Sequence, residues 1–327
     1  MSDFWKDEPA IEKQLQSVRS LILATIERSN SFIRPLLFDR ISTGGKMIRP
    51  ALVIIGSALG TKEKKDEVQK IASVLEMVHL ASLVHDDILD GAKTRRGIPT
   101  LYSVAGPRQA VLAGDYLLSK AMSLVEGEEG DLHASAVANA FGRLCESELD
   151  QDAGEGDFLI SSSTYIRRIA GKTAALFALS AYSGAAVTGA PKHLQYRLHR
   201  IGYLLGIAFQ IQDDILDYTG DKKTLGKEIG QDVRIGIPTY PLIAALQEEK
   251  RRGGERLYTL VKDKRRPTKK ESRQIVSLAI EYGGVERAVS LVNTYIARAM
   301  DDIGKLGNSL VESQLISLYE KLSARRN

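Results

Sequence analysis

An acidic pentapeptide, Asp-Asp-Ile-Leu-Asp, occurs twice in the chain, beginning at Asp86 and again at Asp213. Positions i and i+4 of a helix share a face, so Asp86 and Asp90 point the same way, as do Asp213 and Asp217. Two carboxylates on one face repel each other and lose hydration near an apolar core. A shared cation removes both costs, and oxygen ligands without cysteine suit Mg²⁺, which also binds substrate phosphates. We therefore predict a magnesium site at each motif.

The second aspartate of each motif has a different predicted role. Asp87 and Asp214 lie about 100° around the helix from the first aspartate, which suits groups that support the metal ligands. For one motif alone, a pair of exposed carboxylates at a helix end would be an equal alternative. The repeat, in both cases after a mostly apolar helical segment, favours metal binding.

Magnesium held by carboxylates implies a phosphate ligand, and four short basic motifs could bind one. They are GGKMIRP at 44–50, KTRRG at 93–97, GKT at 171–173 and GKE at 226–228. Glycine permits close backbone approach, while Arg binds phosphate through a planar fork and Lys as a point charge. The GKT motif does not predict a nucleotide P-loop, because Ile166 stands where the first glycine should be and no strand precedes it.

Composition sets broad limits on the protein. The 327 residues are 26% charged and 43% hydrophobic with a net charge of +4, which indicates a soluble globular protein without a general attraction to nucleic acid. The single cysteine, Cys145, excludes a disulfide framework. The first residues lack a signal-peptide pattern, and no apolar stretch reaches the about 18–20 residues of a membrane helix. We expect a cytoplasmic protein.

Helical periodicity dominates the chain, and no segment alternates convincingly with period two. No Gly/Ser-rich linker divides it, so we predict one all-helical domain over residues 1–327. The basic run KDKRRPTKK (262–270) predicts a solvated loop, with an acidic membrane surface or a partner as the alternative. Helices are expected over 65–84, 107–125, 131–152, 162–188, 192–218, 239–249 and 268–325, the last with breaks near Gly283–Gly284 and Gly304–Gly307.

Together the motifs resemble the trans-polyprenyl diphosphate synthases, especially medium- and long-chain bacterial-type members. HLASLVHDDILD followed by RRGIPT is similar to the first aspartate-rich region of that family, and FQIQDDILD followed by GKEIGQD is similar to the second. The resemblance implies a single-domain α-helical bundle of the isoprenoid synthase type with a central apolar cavity. In the family, the two acidic helices face each other and hold three Mg²⁺ ions on the diphosphate of an allylic substrate.

The resemblance also implies the reaction and the partners. An allylic diphosphate, farnesyl or geranyl diphosphate, would ionise and condense head to tail with isopentenyl diphosphate, in a site that excludes water. The product would be an all-trans polyprenyl diphosphate longer than about fifteen carbons. The family forms dimers, so we expect a homodimer or a heterodimer with a homologous subunit. We also expect transient contact with a membrane surface on product release.

Roles follow from the positions that match the family's motifs. His79 lies two helical turns before Asp86 and on nearly the same face, although a structural core histidine is the alternative, while His85 is expected to be structural. The implied metal ligands are Asp86, Asp87, Asp90, Asp213, Asp214 and Asp217; the isopentenyl diphosphate contacts are Gly45, Lys46, Arg49, His79 and Arg96; the allylic diphosphate contacts are Arg95, Lys172 and Lys227; and the groups that stabilise the carbocation are Thr173 and Gln210.

Product length should depend on the helix that carries the first acidic motif. Ala81 and Ser82, one turn before Asp86, are small where short-chain members carry an aromatic floor. Val78 and Met77 form the next layer. One helical turn is about the length of an isoprene unit, so we predict products of about twenty to forty carbons, with the upper half favoured. Phe141 is a candidate for a deeper floor.

One departure from the family pattern leaves an alternative open. Where the family often has Gly-Lys-x-Thr after the second acidic motif, this chain has Ile237 in place of the lysine. A subunit that needs a partner chain for activity therefore remains an alternative, although such subunits often lose aspartates and all six are present here. A terpene cyclase is disfavoured because its second metal motif differs and it needs no isopentenyl pocket. Head-to-head condensation is disfavoured by the spacing of the acidic motifs.

Overall fold

The computed structural model describes residues 3–27, 29–42, 45–95, 97–125, 130–220 and 229–323. The prediction of an all-α protein is confirmed. The strands found in the described ranges are β1 (Thr94–Arg95) and β2 (Ile98–Pro99), an antiparallel pair that the periodicity did not predict. A 3₁₀ turn spans Asp3–Trp5, and the α-helices are α1 (Pro9–Ile26), α2 (Ile33–Ser42), α3 (Ile48–Ser57), α4 (Lys65–Leu89), α5 (Leu101–Ala105), α6 (Pro107–Ser123), α7 (Gly130–Ala153), α8 (Ser162–Ile169), α9 (Ala175–Val187), α10 (Lys192–Thr219), α11 (Gln231–Arg234), α12 (Tyr240–Arg251), α13 (Arg256–Val261), α14 (Lys269–Glu281), α15 (Gly284–Ile303) and α16 (Ser309–Ser323).

The chain divides into two compact units. Unit 1 contains Met1–Phe141, Leu176–Gly202 and Ile303–Asn327, and unit 2 contains Gly142–Ala175 and Tyr203–Asp302. Neither unit is continuous in sequence, so no single linker separates them and no composition shift would mark the boundary. The single domain expected from the sequence stays a prediction.

Helix α4 is the core of unit 1. It packs against α1, α3 and α6, and its residues from Ile71 to Val78 are all buried, as the apolar run on every side predicted. The helix continues beyond the predicted end at residue 84 to Leu89, so the first acidic motif forms its last turn. The buried part of α4 therefore fixes the position of the Asp86 and Asp90 carboxylates at its C-terminal end.

Helix α3 lies close to the segment of unit 1 that carries α9. A Cβ on Gly56 would lie 2.5 Å from the backbone oxygen of Ala181, and a Cβ on Gly184 would overlap the oxygen of Val53. Glycine at these positions therefore allows the backbones to approach closely. This packing brings the start of α3 next to Phe177.

In unit 2, helices α12, α13 and α14 pack against one another. Buried Glu249 accepts hydrogen bonds from the backbone amides of Leu257 and Tyr258 and thereby begins α13. Thr268 and Glu271 form a capping box at the start of α14. Residues 262–268 of the basic run form the connection before α14, as predicted, whereas Lys269 and Lys270 already belong to the helix.

Periodicity predicted the breaks between the last helices correctly but missed an irregular turn in the middle of the chain. The expected breaks after α14 and α15 are confirmed, with Gly283 and Gly307 at φ of 73° and 70°. The continuous helix expected over 162–188 is wrong in its middle, because residues Ala170–Ala174 form a π-helix between α8 and α9. Among the helices that the structure describes, none has the length and apolar character needed to cross a membrane.

Candidate active site

The first acidic motif ends α4 in unit 1. Asp86 is half-buried and Asp90 is exposed. Asp90 caps the helix in right-handed helical conformation and donates its backbone N–H to the carbonyl of Asp86, so the two residues keep the i, i+4 relation. His85 turns aside to Asp115 on α6, with 3.4 Å between Nε2 and Oδ1, which fits its predicted structural role.

Asp87 is fully buried and forms two ion pairs. Its Oδ2 accepts from Arg40 Nη2 at 2.5 Å, and its Oδ1 accepts from Arg95 Nε at 2.6 Å. Arg40 lies on α2, and Arg95 lies on β1 just after the tight turn at Gly91 (φ 59°). Both oxygens of Asp87 thus face guanidinium groups, which neutralise the buried charge and hold Arg95 beside the motif.

The start of α3 carries the basic residues of the GGKMIRP motif. Gly45 and Lys46 precede Met47, whose φ of 49° makes it the one non-glycine residue with positive φ in the described chain. Arg49 is packed over the ring of Phe177 at 5.0 Å, and its Nε is buried without a hydrogen-bond partner. Burial lowers the pKa of Arg49 to about 10, although the negative charge of Glu76 opposes the shift. A second anion would compensate this buried charge.

The residues predicted to control product length lie on α4, one to three turns before Asp86. Ala81, Val78 and Met77 are fully buried, and Ser82 is nearly so. The hydroxyl of Ser82 donates to the carbonyl of His79 at 2.8 Å, and the His79 side chain is half-buried. The small residues thus lie inside unit 1.

The second acidic motif ends α10 in unit 2. Asp213 is exposed and Asp214 is buried. Asp214 accepts from Tyr165 Oη at 2.6 Å and from Gln210 Nε2 at 2.9 Å, and Gln210 Oε1 accepts from Thr173 Oγ1 at 2.7 Å. A chain of hydrogen bonds therefore joins two groups predicted to stabilise a carbocation to the acidic motif.

The hydrogen-bond donors to Asp214 described above are neutral, so no positive charge from them compensates the burial of its carboxylate. Burial raises the pKa of Asp214 to about 7, the negative charges of Asp213 and Asp217 raise it further, and the bonds from Tyr165 and Gln210 partly offset the rise. The pKa of Tyr165 lies well above its ordinary value because it is buried beside this carboxyl. A cation next to the motif would restore the charged form of Asp214.

Asp217 caps a short helix. Its two carboxylate oxygens accept from the backbone amides of Gln231 at 3.1 Å and Asp232 at 3.0 Å, at the start of α11. A carboxylate oxygen has two lone pairs, so accepting one backbone hydrogen bond does not by itself exclude metal binding. Ile237, which replaces the family lysine, follows this helix and donates its N–H to the carbonyl of Asp232.

The GKT motif forms the π-helix of unit 2. Lys172 makes an ion pair with Glu148 at 2.7 Å, and Thr173 is buried. A Cβ on Gly171 would overlap Ser147 Oγ and lie 2.8 Å from the carbonyl of Arg143, so only glycine fits against α7. A π-turn inserts one extra residue and often marks a functional site.

Two predicted residues fall outside the part of the chain that the structure describes, and three residues of the site were not predicted. Arg96 and Lys227 lie outside the described residues. Arg40, Tyr165 and Glu148 were missed by sequence reasoning. Tyr165 alone had a signal, because it precedes Lys172 by seven residues and thus two turns.

A metal would need ligands beyond those of one motif. Within the described ranges, no three His, Cys, Asp or Glu side chains are grouped closely enough to hold an ion. The outer carboxylates still fit Mg²⁺, which keeps waters and takes substrate phosphate oxygens as ligands. The chain thus supplies the kind of incomplete oxygen site that a diphosphate would complete.

Comparison with known proteins identifies close relatives over most of the chain. A heptaprenyl diphosphate synthase component 2 from Geobacillus stearothermophilus is 34% identical over 261 residues, which are 80% of this chain and 79% of that protein. An octaprenyl diphosphate synthase from Haemophilus influenzae is 32% identical and covers 97% of this chain and 95% of its own length.

Solved structures agree with these relatives. A polyprenyl synthase from Caulobacter crescentus, complexed with calcium and isoprenyl diphosphate, has a TM-score of 0.87 at 30% identity and covers 98% of this chain and 97% of that one. The family model named polyprenyl synthetase matches residues 31–279, well over half of the sequence. The chain therefore belongs to the polyprenyl synthetase family of prenyltransferases.

Proposed function

We propose that this prenyltransferase condenses an allylic prenyl diphosphate head to tail with isopentenyl diphosphate, in a Mg²⁺-dependent reaction. One observation carries the proposal. In both acidic motifs the first and last aspartates are exposed or half-buried, whereas the second is buried and accepts hydrogen bonds from other side chains. This common construction is what a pair of metal-binding motifs requires.

The outer aspartates have the direct role in this proposal. Asp86 and Asp90 in the first motif, and Asp213 and Asp217 in the second, would hold Mg²⁺. When bound, Mg²⁺ neutralises charge on the departing diphosphate. Asp87 holds Arg95 toward that diphosphate instead of coordinating metal, because it is fully buried and the two guanidinium groups on its oxygens would repel a cation.

The basic residues bind the two diphosphates. Gly45, Lys46, Arg49 and His79 bind isopentenyl diphosphate, whose charge would compensate the buried guanidinium of Arg49. Arg95 and Lys172 bind the allylic diphosphate. Lys172 must exchange its ion pair with Glu148 for the phosphate, which makes Glu148 a resting partner for this lysine.

Thr173 and Gln210 stabilise the allylic carbocation. The Thr173 hydroxyl donates its proton to Gln210 Oε1, so the lone pairs of the threonine oxygen are available to positive charge. The Gln210 amide is oriented by its bond to Asp214. Dipoles fixed before the reaction stabilise developing charge without the cost of reorganisation.

Long-chain products are supported by two observations. The buried residues Ala81, Ser82 and Val78 include no aromatic floor. Relatives include synthases named for heptaprenyl, octaprenyl and nonaprenyl products. We propose a product longer than about fifteen carbons, made from farnesyl or geranyl diphosphate in the cytoplasm.

A second candidate is a subunit that needs a partner chain for activity. Two relatives are named component 2 of heptaprenyl diphosphate synthase, and Ile237 removes a cation that the family often has. All six motif aspartates are nevertheless present, which favours a catalytic chain. The homodimer and the heterodimer with a homologous subunit are both compatible with this role.

The proposal is tested by changing one outer aspartate in each motif. Asp86→Ala and Asp213→Ala should each lower turnover with Mg²⁺ on the order of a hundredfold or more, since Lewis-acid stabilisation is worth several kcal/mol. Asp66→Ala, an exposed change in the first turn of the same helix as Asp86, is the control and should keep full activity. Circular dichroism checks that each variant is folded. Full activity in either motif variant would overturn the assignment.

A further inference from the structure

Residues Phe4 and Trp5 hold Lys46 at two points. The buried indole of Trp5 donates its Nε1–H to the backbone oxygen of Lys46 at 2.6 Å. The ammonium of Lys46 lies over the ring of Phe4, 4.3 Å from its centroid. One aromatic residue thus fixes the main chain of Lys46, and its neighbour contacts the charged end of the side chain.

Met47 explains why the Lys46 backbone needs an anchor. Its left-handed conformation is unfavourable for a residue with a Cβ and persists only when surroundings enforce it. Met47 is buried, and its Sδ lies 3.6 Å from Arg19 Nη2, which donates to it. The bond from Trp5 to Lys46 is the adjacent constraint on the same turn.

This turn sets where Lys46 lies relative to Arg49. Met47 is the N-cap of α3, and Arg49 is the second residue of that helix. A relaxed, right-handed Met47 would redirect the chain before it and move Lys46, while Arg49 would stay packed on Phe177. Two cations that bind one diphosphate need a fixed separation, because misplacement by about 1 Å is costly.

We propose that Phe4 and Trp5 are positioning residues for isopentenyl diphosphate, acting through Lys46. The inference rests on the proposed function, since Lys46 and Arg49 are the diphosphate contacts there. It assigns a role to a 3₁₀ turn that no acidic or basic motif includes. A small cavity of about 20 Å³ beside this turn, lined by Trp5, Arg19 and Met47 among others, has room for about one water.

Trp5 also has a packing role, which the test must separate. The ammonium of Lys321 on α16 lies 5.6 Å from the Trp5 ring centroid, so loss of the whole ring would disturb α16 as well. Trp5→Phe keeps an aromatic ring and removes the N–H donor. Phe4→Leu keeps an apolar side chain and removes the ring beneath Lys46. Ile26→Val, buried at the other end of α1, is the control for a small loss of packing.

The full chain is titrated with isopentenyl diphosphate in a calorimeter, and steady-state kinetics are measured with farnesyl diphosphate. Trp5→Phe should raise the Kd and KM for isopentenyl diphosphate about threefold to tenfold, as expected for one hydrogen bond. Phe4→Leu should raise them about twofold to fivefold. In both variants, kcat and the KM for farnesyl diphosphate should stay within about twofold of the parent values. In Ile26→Val, kcat, both KM values and the Kd should all stay within about twofold.

Hydrogen exchange of peptides that cover residues 45–57 gives a readout independent of substrate. Trp5→Phe should speed exchange at the start of α3, and Ile26→Val should not. Unchanged exchange in Trp5→Phe, or equal weakening of both substrates, overturns the positioning role. If the parent chain binds no isopentenyl diphosphate, the proposed function is overturned, and with it the role of Phe4 and Trp5 in positioning this substrate. The hydrogen-exchange result still decides whether Trp5 holds the turn at Lys46 and Met47.

Discussion

At the scale of residues, the two identical motifs stabilise their buried aspartates by different means. Asp87 pairs with two arginines, whereas Asp214 accepts only from the neutral donors Tyr165 and Gln210 in the bonds described above. The i+1 offset predicted a supporting place for both. Their partners Arg40 and Tyr165 lie 47 and 49 residues away, a distance at which no local spacing rule applies.

The raised pKa of Asp214 predicts an unusual pH dependence of stability without divalent ions. The pKa of the carboxyl is about 7 in the native state and near its ordinary 3.8 in the unfolded state, so the native state binds more protons between these values. The free energy of unfolding should therefore fall as pH rises from about 4 to 7, on the order of 1–4 kcal/mol from this group.

Urea unfolding with a chelator, at several pH values, measures this effect. Asp214→Asn should lack this decrease, so the difference in unfolding free energy between variant and parent should increase toward pH 7. Addition of Mg²⁺ should reduce the difference if the motif binds the ion, because a cation favours the charged carboxyl. Parallel curves for parent and variant would contradict the assigned pKa.

At the scale of elements, the π-helix at Ala170–Ala174 is a feature that periodicity missed. The segment has helical composition on both sides, and α9 is buried on nearly every side, so the rotation that one extra residue causes is not visible in its apolar pattern. Gly171 fits there because α7 approaches closely, which is a tertiary contact and not a local preference. By contrast, the burial of α4 was predictable because its apolar residues cover nearly the whole circumference.

Gly171→Ala should destabilise the protein by about 1–3 kcal/mol and lower turnover, because the new Cβ overlaps Ser147 and moves the Lys172–Thr173 turn. Gly142→Ala on α7 is the matched control. Its Cβ would meet nothing within 4 Å, so the change should be neutral or stabilising by up to about 1 kcal/mol. Urea unfolding measures both. Equal effects of the two changes would remove the argument for close packing at the π-helix.

Helix α4 also makes a prediction about product length. Ala81→Phe adds a ring at a fully buried position one turn before the acidic motif, so it should shorten the product by blocking the tail. Overpacking should cost about 1–3 kcal/mol, which makes product length in an active enzyme the informative readout. Chromatography of dephosphorylated products decides it. An active variant with the parent's chain length would show that the tail takes another route.

At the scale of the whole molecule, exposed apolar residues on two helices bear on how chains assemble. Apolar side chains on α5 and α6 of unit 1 are exposed, namely Val104, Val111 and Leu112 at 58%, 42% and 57%. The opposite face of α6, with Ala110, Ala113 and Leu117, is buried. The buried face of α6 is therefore used inside unit 1, and the exposed residues form a second apolar face.

We expect this second face to be covered by another copy of the chain or by a homologous subunit. Leu112→Glu should reduce the mass measured by light scattering from that of a dimer to that of a monomer, because a buried unpaired charge is costly. Lys65→Glu, an exposed charge change in the first turn of α4 and therefore away from this face, is the control and should leave the mass unchanged. A parent chain that is a stable, active monomer would contradict the prediction.

The most direct test of the account is the product made by the purified chain alone. It is incubated with Mg²⁺, farnesyl diphosphate and labelled isopentenyl diphosphate, and the dephosphorylated products are separated by chromatography. We expect labelled all-trans products of about twenty to forty carbons, formed with Mg²⁺ and lost when it is chelated. A chain that binds both substrates yet forms no product longer than farnesyl diphosphate would contradict the claim that it elongates prenyl chains on its own.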